Sequence, residues 1–487
     1  MDRATAIFPE LGGSKKWVHF VGIGGIGMSA LARFFMANKW LVSGSDLVKS
    51  SITAGLAKEG ARVKIGHKKG HINGHVGLVI HSKAAKSDNP ELREAKRLGI
   101  PCVTYSEAVG RLTRNYKTVA VAGAHGKSTT TALTSLVLQK AGLDPTVIIG
   151  TTLHEFGNRN FRAGRDPSTS LRAGWLALEA DEFGKSFLDY SPAVAVVTNI
   201  DLEHLDTYKN LADIKNNFFK FLSNTNRGGT LVLNKDSKSL RSLAPRIKKL
   251  AKQKNLKIVW FSIRNSQHSH ALADLHHVLK IPGEHNISNA VAAYKVGCAL
   301  AIPHNKIISA IGSFRGSWRR MEYKGRCQMS DVRCQMLIYD DYAHHPTEIK
   351  ATLRAFKEKY PKSPIFCVYQ PHQALRLKKL WRGFVDSFAD ADVLITIPMY
   401  QVAGRDPSTR SGRARFNSKS LAAAIKRKYP TRAVFYLPHP KNIESFVSKI
   451  IHSYYSQHSH EFVDWHYVLV MMGAGNIADY THLLLKR

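Results

Sequence analysis

Short apolar runs recur along the chain, each closed by small or polar residues and most of them followed by a stretch with helical spacing. Trp17–Val21, Leu41–Asp46, Leu78–Ser82 and Ile100–Val103 read as strands, with helices predicted over Met28–Asn38 and Asn89–Leu98. Thr118–Ala122, Trp175–Leu178, Ala193–Thr198 and Leu231–Asn234 form a second series, with helices to about Lys140 and over Ile287–Ala301. A strand ending at Ile338-Tyr339, then Ile365–Tyr369, Val393–Ile397, Ala433–Leu437 and Tyr467–Met472, form a third. Continuous apolar runs are what strands covered on both faces require, and their alternation with helices implies parallel pairing. The pattern predicts an α/β protein of three doubly wound domains, 1–114, 115–318 and 319–487. Three features interrupt it. GRDPST occurs at Gly164–Thr169 and Gly404–Thr409, RCQM at Arg326–Met329 and Arg333–Met336, and Gln267–His277 is rich in histidine. The repeats are polar and too few to make a repeat fold, so they are expected to be loops without a catalytic role; the histidine-rich segment is expected to be a solvated loop, with metal binding as its alternative.

Composition narrows the class. At 487 residues and 44% hydrophobic the chain can build several cores. No apolar run approaches the roughly 18 residues that span a bilayer, so no membrane partner is expected. Met1–Gly13 lacks the basic-then-apolar order of a secretory signal. Five cysteines without a CxxC pair fit a reduced, cytoplasmic chain. Lys and Arg number 71 against 36 Asp and Glu, a net charge of +35, which suits nucleic acid or acidic small molecules. The basic residues are spread along the chain with no aromatic-interleaved cluster, which weighs against nucleic acid. Oligomeric state is left open by the pattern.

The chemistry concentrates at strand ends. Val119–Thr131 reads VAVAGAHGKSTTT. Glycines at 123 and 126 let backbone N–H groups curl round a phosphate, the following helix adds its dipole, Lys127 reaches the outer phosphates and Ser128 can ligate their Mg²⁺. The longer GxxxxGK spacing would need glycine at 121, where this chain has valine, so the loop is a shorter form. A second glycine loop, Gly22-Ile23-Gly24-Gly25-Ile26-Gly27, follows the first strand, and Asp46 lies about 20 residues on, where an acid meets a ribose hydroxyl. Alone, this loop suits a dinucleotide oxidoreductase; with the lysine loop it suggests two separate nucleotide sites. Glu179-Ala180-Asp181-Glu182 ends one strand, and Asn199–His204 follows another, so carboxylates and His204 face the ligand edge of the sheet, where Mg²⁺ is expected. Asp340–Glu348, reading DDYAHHPTE, is a dense polar turn between strand and helix.

These motifs, with PGEHNISNA at 282–290, FRGSWRRME at 314–322, QPH at 370–372 and GAG at 473–475, resemble the Mur ligases over nearly the whole chain, most closely the branch that adds alanine. The resemblance implies an N-terminal Rossmann-like UDP-binding domain, a central P-loop ATPase-like domain and a C-terminal Rossmann-like domain. It implies an ATP- and Mg²⁺-dependent ligase of peptidoglycan synthesis that joins L-alanine to UDP-N-acetylmuramate. Gly24, Gly25, Ile26 and Gly27 would meet the diphosphate, with Asp46 and Ser82 nearby. Gly123, Ala124, His125, Gly126, Lys127, Ser128 and Thr129 would cradle ATP, with His285, Asn286 and Asn289 at the adenine. Ser128 and Glu179 would hold Mg²⁺, and His204 a second metal position. Arg320, Asp341, His344, His345 and Arg376 would come from the third domain, with His344 or His345 positioning the amine or accepting its proton. The chain departs from the alanine-adding pattern after His372, where Gln373-Ala374-Leu375 precede Arg376, and after EADE, where Phe183-Gly184-Lys185 follow. The nearest rival is the murein-tripeptide ligase of cell-wall recycling. A homologue disabled by its insertions is a further alternative, against which Lys127, Glu179 and His204 are all present.

Overall fold

A computed structural model describes residues 7–8, 16–164, 174–204, 206–264, 270–328, 335–401, 416–458 and 466–485. The chain forms two compact units, Met1–Glu203, Thr207–Lys280 and Ile287–Ser317 in one, and His204–Asp206, Ile281–Asn286 and Trp318–Arg487 in the other.

The first unit carries two sheets. One contains β1 (Trp17–Val21), β2 (Leu41–Asp46), β3 (Arg62–Ile65), β4 (Leu78–His81) and β5 (Cys102–Thr104), in the order β3-β2-β1-β4-β5. All its pairings are parallel. The other contains β6 (Lys117–Ala122), β7 (Thr146–Leu153), β8 (Arg159–Arg162), β9 (Trp175–Glu179), β10 (Val194–Val197), β11 (Thr230–Asn234) and β12 (Lys257–Phe261). Its order is β12-β11-β10-β6-β9-β7-β8, with only β7 and β8 antiparallel. Phe20, Phe34, Phe35 and Trp40 fill the core beside the first sheet, and Phe187 stacks on Phe221 beside the second. Each such side chain contributes about 1.5–3 kcal/mol by leaving water.

The second unit carries one sheet of β13 (Glu322–Gln328), β14 (Gln335–Asp341), β15 (Ile365–Tyr369), β16 (Val393–Thr396), β17 (Ala433–Tyr436) and β18 (His466–Met472), ordered β13-β14-β18-β15-β16-β17. β13 pairs antiparallel and the others parallel. Among the described residues, no helix is long and apolar enough to cross a membrane.

The α/β architecture read from the apolar runs is the one observed. The strands the pattern missed are β3, β7, β8, β12 and β13, and all but β7 lie at a sheet edge. An edge strand is covered less completely and tolerates charged residues, as RVKI and RNFR do, so its apolar signal is short.

Two expectations are corrected. The described part of the RCQM repeats is strand rather than loop: Arg326, Cys327 and Gln328 on β13 pair with Leu337, Met336 and Gln335 on β14, while Met329, Arg333 and Cys334 lie outside the described residues. Cys327 and Met336 lie opposite each other and both are buried, so the repeat supplies a hairpin's inward positions. The histidine-rich segment contains a helix, His270–Val278, because Leu272 and Leu275 share a buried face and leave His276 and His277 exposed. Of the GRDPST repeats, residues 165–169 and 404–409 lie outside the described residues.

Asp340, on β14, is buried and accepts a hydrogen bond from Thr481 Oγ1 at 2.6 Å. Burial pushes its carboxyl up from 3.8 to about 6, against the opposing pull of Thr481 and Lys324. A raised folded pKa means that stability is gained as pH falls from about 6 towards 3.8. Asp340→Asn keeps the acceptor and removes the buried charge. It is expected to stabilise the unit carrying β14 by roughly 1–3 kcal/mol at pH 8 and by much less at pH 4, read from urea unfolding at the two pH values.

Candidate active site

The central sheet changes winding direction at β6, with β9 on one side and β10 on the other. Ala122 pairs with Val197 and Val121 with Glu179, so Glu179 and Thr198 flank the tip of β6. The turn there can be made only by glycine. Gly123 has φ +145°, and a Cβ on it would strike Thr198. Gly126 has φ +82° and caps the helix Lys127–Lys140, and its Cβ would strike the amide of Asn289.

Neighbouring strand ends fix the turn. His125 N donates to Asn199 Oδ1 at 2.9 Å, while Thr198 Oγ1 and Asn199 Nδ2 donate to the His125 carbonyl at 2.6 and 2.9 Å. His125 Nε2 lies 3.0 Å from Asp201 Oδ2. Thr129, the third residue of the helix, is buried.

Lys127 Nζ donates to the carbonyls of Gly123 and Ala124, at 2.7 and 3.2 Å, and to Glu182 Oε1 at 3.0 Å. Burial works against the ammonium, but Glu182, Asp181 and Glu179 outweigh it and raise its pKa, so it stays charged. The Tyr208 hydroxyl donates to the Glu182 carbonyl at 2.6 Å. Ser128 Oγ donates to Glu179 Oε1 at 3.0 Å, and Gly150 N donates to Glu179 Oε2 at 2.7 Å. Burial raises the Glu179 carboxyl, and Lys127, Gly150 and Ser128 oppose that rise. A hydroxyl and a carboxylate converging beside a phosphate-shaped turn are the oxygen donors a hard divalent cation takes. His204 has φ +51° and falls in the second unit.

The first sheet reverses at β1, and its glycine loop lies there. Gly22 N and Ile23 N donate to the Ser45 carbonyl at 2.8 and 3.0 Å, and Gly24 N donates to Asp46 Oδ2 at 2.9 Å. The carboxylate expected near a ribose therefore also braces the loop. Gly25 caps the helix Ile26–Ala37. A Cβ on Gly27 would lie 2.8 Å from the Tyr105 hydroxyl. Ser82 N donates to the Val21 carbonyl at 3.0 Å, beside that loop.

In the second unit, Asp341 ends β14 and accepts from Met321 N and Ala343 N, both at 2.8 Å, and from Thr352 Oγ1 at 3.3 Å. It is buried, and burial raises its carboxyl. It organises the turn around it. Arg320 pairs with Glu348 at 3.5 Å and lies over the Tyr342 ring. His344 Nδ1 lies 2.9 Å from the Tyr342 carbonyl, which fixes the proton on Nδ1 and leaves Nε2 the basic nitrogen of the neutral ring. His345 caps the helix Pro346–Lys359 by accepting from Thr347 N at 3.2 Å. His372 packs edge-on against His344 and stacks on Tyr400, and Arg376 reaches His372 Nδ1 at 3.5 Å. Asn286 Nδ2 donates to the Pro282 carbonyl at 2.7 Å, and a Cβ on Gly283 would meet the His285 ring.

The structure thus groups Lys127, Ser128, Glu179 and Asn289 in one unit and Arg320, Asp341, His344, His345 and Arg376 in the other. His285, Asn286 and Asn289 lie within the first two turns of one helix, Glu284–Ala299. The sequence reading missed Gly150 and Arg319. Gly150 sits within β7, TVIIGTTL, and has no side chain to mark it. Arg319 is buried with its guanidinium on the carbonyls of Gly473 and Gly475. Its motif signal was the Arg319-Arg320 pair, in which only the second was singled out.

Three family models cover the chain in order: the Mur ligase family catalytic domain at residues 17–117, the Mur ligase middle domain at 121–297 and the Mur ligase glutamate ligase domain at 319–451. A UDP-N-acetylmuramate–L-alanine ligase of Desulforapulum autotrophicum is 39% identical over 79% of this chain and 83% of its own. One of Desulfatibacillum aliphaticivorans is 36% identical over 94% and 96%. The solved UDP-N-acetylmuramate–alanine ligase of Thermotoga maritima superposes with a TM-score of 0.73 at 25% identity, covering 96% of this chain and 98% of that one. A murein peptide ligase of Psychrobacter arcticus shares the fold, with a TM-score of 0.63 at 19% identity over 96% and 98%.

Gly126→Ala would place a Cβ against Asn289 in a left-handed conformation that costs a non-glycine residue about 1–2 kcal/mol. Phosphate release from ATP is expected to fall roughly 100-fold or more as the turn shifts, with the circular dichroism spectrum unchanged.

Proposed function

The chain belongs to the Mur ligase family, and from that premise we propose that it joins L-alanine to the lactyl carboxylate of UDP-N-acetylmuramate in peptidoglycan synthesis. ATP is spent, and the products are UDP-N-acetylmuramoyl-L-alanine, ADP and phosphate. The observation that carries the reading is the glycine–lysine–serine turn whose serine reaches Glu179, in a chain aligned over 94% of its length with a ligase of that name.

A carboxylate does not acylate an amine at a useful rate. Its oxygen therefore attacks the γ-phosphorus of ATP, and the bond to the β-phosphate oxygen breaks. The alanine nitrogen then attacks the acyl phosphate carbon, and phosphate leaves. Two anions must meet in the first step, and Lys127 neutralises charge as it develops. Mg²⁺, held by Ser128 and Glu179 with His204 at a second position, would add to that neutralisation. Gly123, Ala124, His125, Gly126 and Thr129 present backbone to the phosphates. His285, Asn286 and Asn289 are assigned to the adenine. Arg320 and Arg376 bring further positive charge, and Asp341 acts through the turn it holds. The amine must lose a proton before it attacks, and His344 Nε2 is the acceptor we assign, with His345 positioning it through the helix cap.

Gly24, Gly25, Ile26 and Gly27 are assigned to the UDP diphosphate, with Asp46 and Ser82 beside it. Exposed Leu47, Val48 and Ile65 around Asp46 offer apolar surface to the pyrimidine. The domains we assign are 1–114 for the UDP-sugar, 115–318 for ATP and 319–487 for closure over the acyl phosphate, which must be kept from water. ATP and the UDP-sugar together point to the cytoplasm as the place of work.

Phosphate release should require ATP, Mg²⁺, UDP-N-acetylmuramate and L-alanine together. Release only when the L-alanyl-γ-D-glutamyl-diaminopimelate tripeptide replaces alanine would move the chain to the recycling reaction and give a role to Gln373-Ala374-Leu375. Lys127→Ala is expected to lower kcat by roughly 10²–10³. Glu179→Gln should raise the Mg²⁺ concentration for half-maximal rate about tenfold, measured by titrating Mg²⁺ at saturating substrates.

A further inference from the structure

Behind the first glycine loop lies a buried carboxylate that no step of the reaction uses. Glu91 sits in the first turn of the helix Pro90–Arg97 and is fully buried. Ser45 Oγ donates to its Oε2 at 2.5 Å, and His71 Nδ1 lies 2.6 Å from its Oε1. His67 Nδ1 lies 2.8 Å from Ser45 Oγ and 3.3 Å from Glu91 Oε2, and Lys68 N donates to Oε1 at 3.4 Å.

A fifth group arrives from β1. Trp17 Nε1 can only donate, and it donates to Ser43 Oγ at 2.8 Å. The Ser43 proton is then available to His19 Nδ1, also 2.8 Å away. That places the remaining His19 proton on Nε2, which is 3.6 Å from Glu91 Oε2. A carboxylate is acceptor-only, so every one of these groups must point a proton at it or at Ser45. The convergence holds Glu91 well below the usual carboxylate range, to about 2, despite its burial.

What Glu91 grips is the segment that carries the loop. The Ser45 carbonyl accepts both Gly22 N and Ile23 N, and the next residue, Asp46, accepts Gly24 N. Gly66 N donates to the Asp46 carbonyl at 2.7 Å, and Gly66 precedes His67. Ser45-Asp46 is thus tied both to Glu91 and to the first three residues of the loop, and Gly66-His67 is tied to Glu91 and to Ser45-Asp46. We infer that Glu91, through Ser45 and His67, is a positioning residue for the Gly22–Gly27 loop and so sets the affinity of the UDP-sugar site. This rests on the assignment of that loop to the diphosphate.

Glu91→Gln replaces this shared acceptor with an amide, and Ser45→Ala cuts the link to the loop while leaving the acid. Both are expected to raise KM for UDP-N-acetylmuramate about tenfold, with kcat and KM for ATP within about twofold of the parent; isothermal titration with UDP should show the same loss. Gly24→Ala, which puts a Cβ 2.8 Å from Asp46 Oδ2, serves as the loop's own control. If Gly24→Ala weakens UDP binding while folded Glu91→Gln and Ser45→Ala do not, the inference falls and the loop assignment stands. If Gly24→Ala also leaves UDP binding unchanged, the loop assignment falls and takes the inference with it. A parallel drop in kcat and in affinity for both nucleotides would mark Glu91 as a general fold residue and overturn the positioning role. Ser45→Ala decides the matter if Glu91→Gln does not fold.

Discussion

An ammonium buried among carboxylates is the constraint on which the central domain depends. Taking a charge out of water costs several kcal/mol unless it is paired and hydrogen-bonded. Lys127 meets that condition with two backbone carbonyls and Glu182, and with Asp181 and Glu179 close by. The carbonyls are available only because the chain turns at Gly123 and Gly126, and the turn holds its shape only because Thr198 and Asn199 grip His125. The parallel sheet brings these pieces together: β9 ends at Glu179 on one side of β6, and β10 leads into Thr198 on the other.

The same economy appears at each ligand-facing turn. In the first sheet, Glu91 lies behind the Gly22–Gly27 loop and holds it through Ser45. In the second, Asn199 lies behind Gly123–Gly126. In the third, Asp341 lies behind Tyr342–His345 and gathers Met321, Ala343 and Thr352. Each anchor is a side chain with several acceptor or donor sites, so one residue can tie together segments far apart in the chain. In a chain with 36 acidic residues against 71 basic ones, several of the scarce acids are spent in the interior. Glu91, Glu182, Asp340 and Asp341 are all buried, and Glu179 is shielded.

The loops were legible before the structure because their chemistry is local. Glycine is needed where φ is positive or a Cβ has no room, and lysine and serine follow within one helical turn. Asp341 and Asn289 were legible as motif residues, but what the anchors hold was not. Nothing near Asn289 says that it lies against Gly126, and nothing near Glu91 says that His19, His67 and His71 turn towards it. Edge strands such as β3 and β8 were missed for a related reason: they are covered less completely, and their charged residues mask the pattern. The RCQM repeat looked like inserted sequence, yet Cys327 and Met336 lie opposite each other across an antiparallel strand pair and both are buried.

By itself, then, the sequence determined the α/β alternation, the two glycine loops and the residues that follow them, because apolar periodicity and backbone sterics act over a few residues. The order of strands, the pairing of Glu179 with Ser128, the approach of Asn289 to Gly126, and the donor set around Glu91 were decided only by the tertiary structure. These depend on contacts between segments tens to hundreds of residues apart, whose distances and proton directions no local pattern encodes.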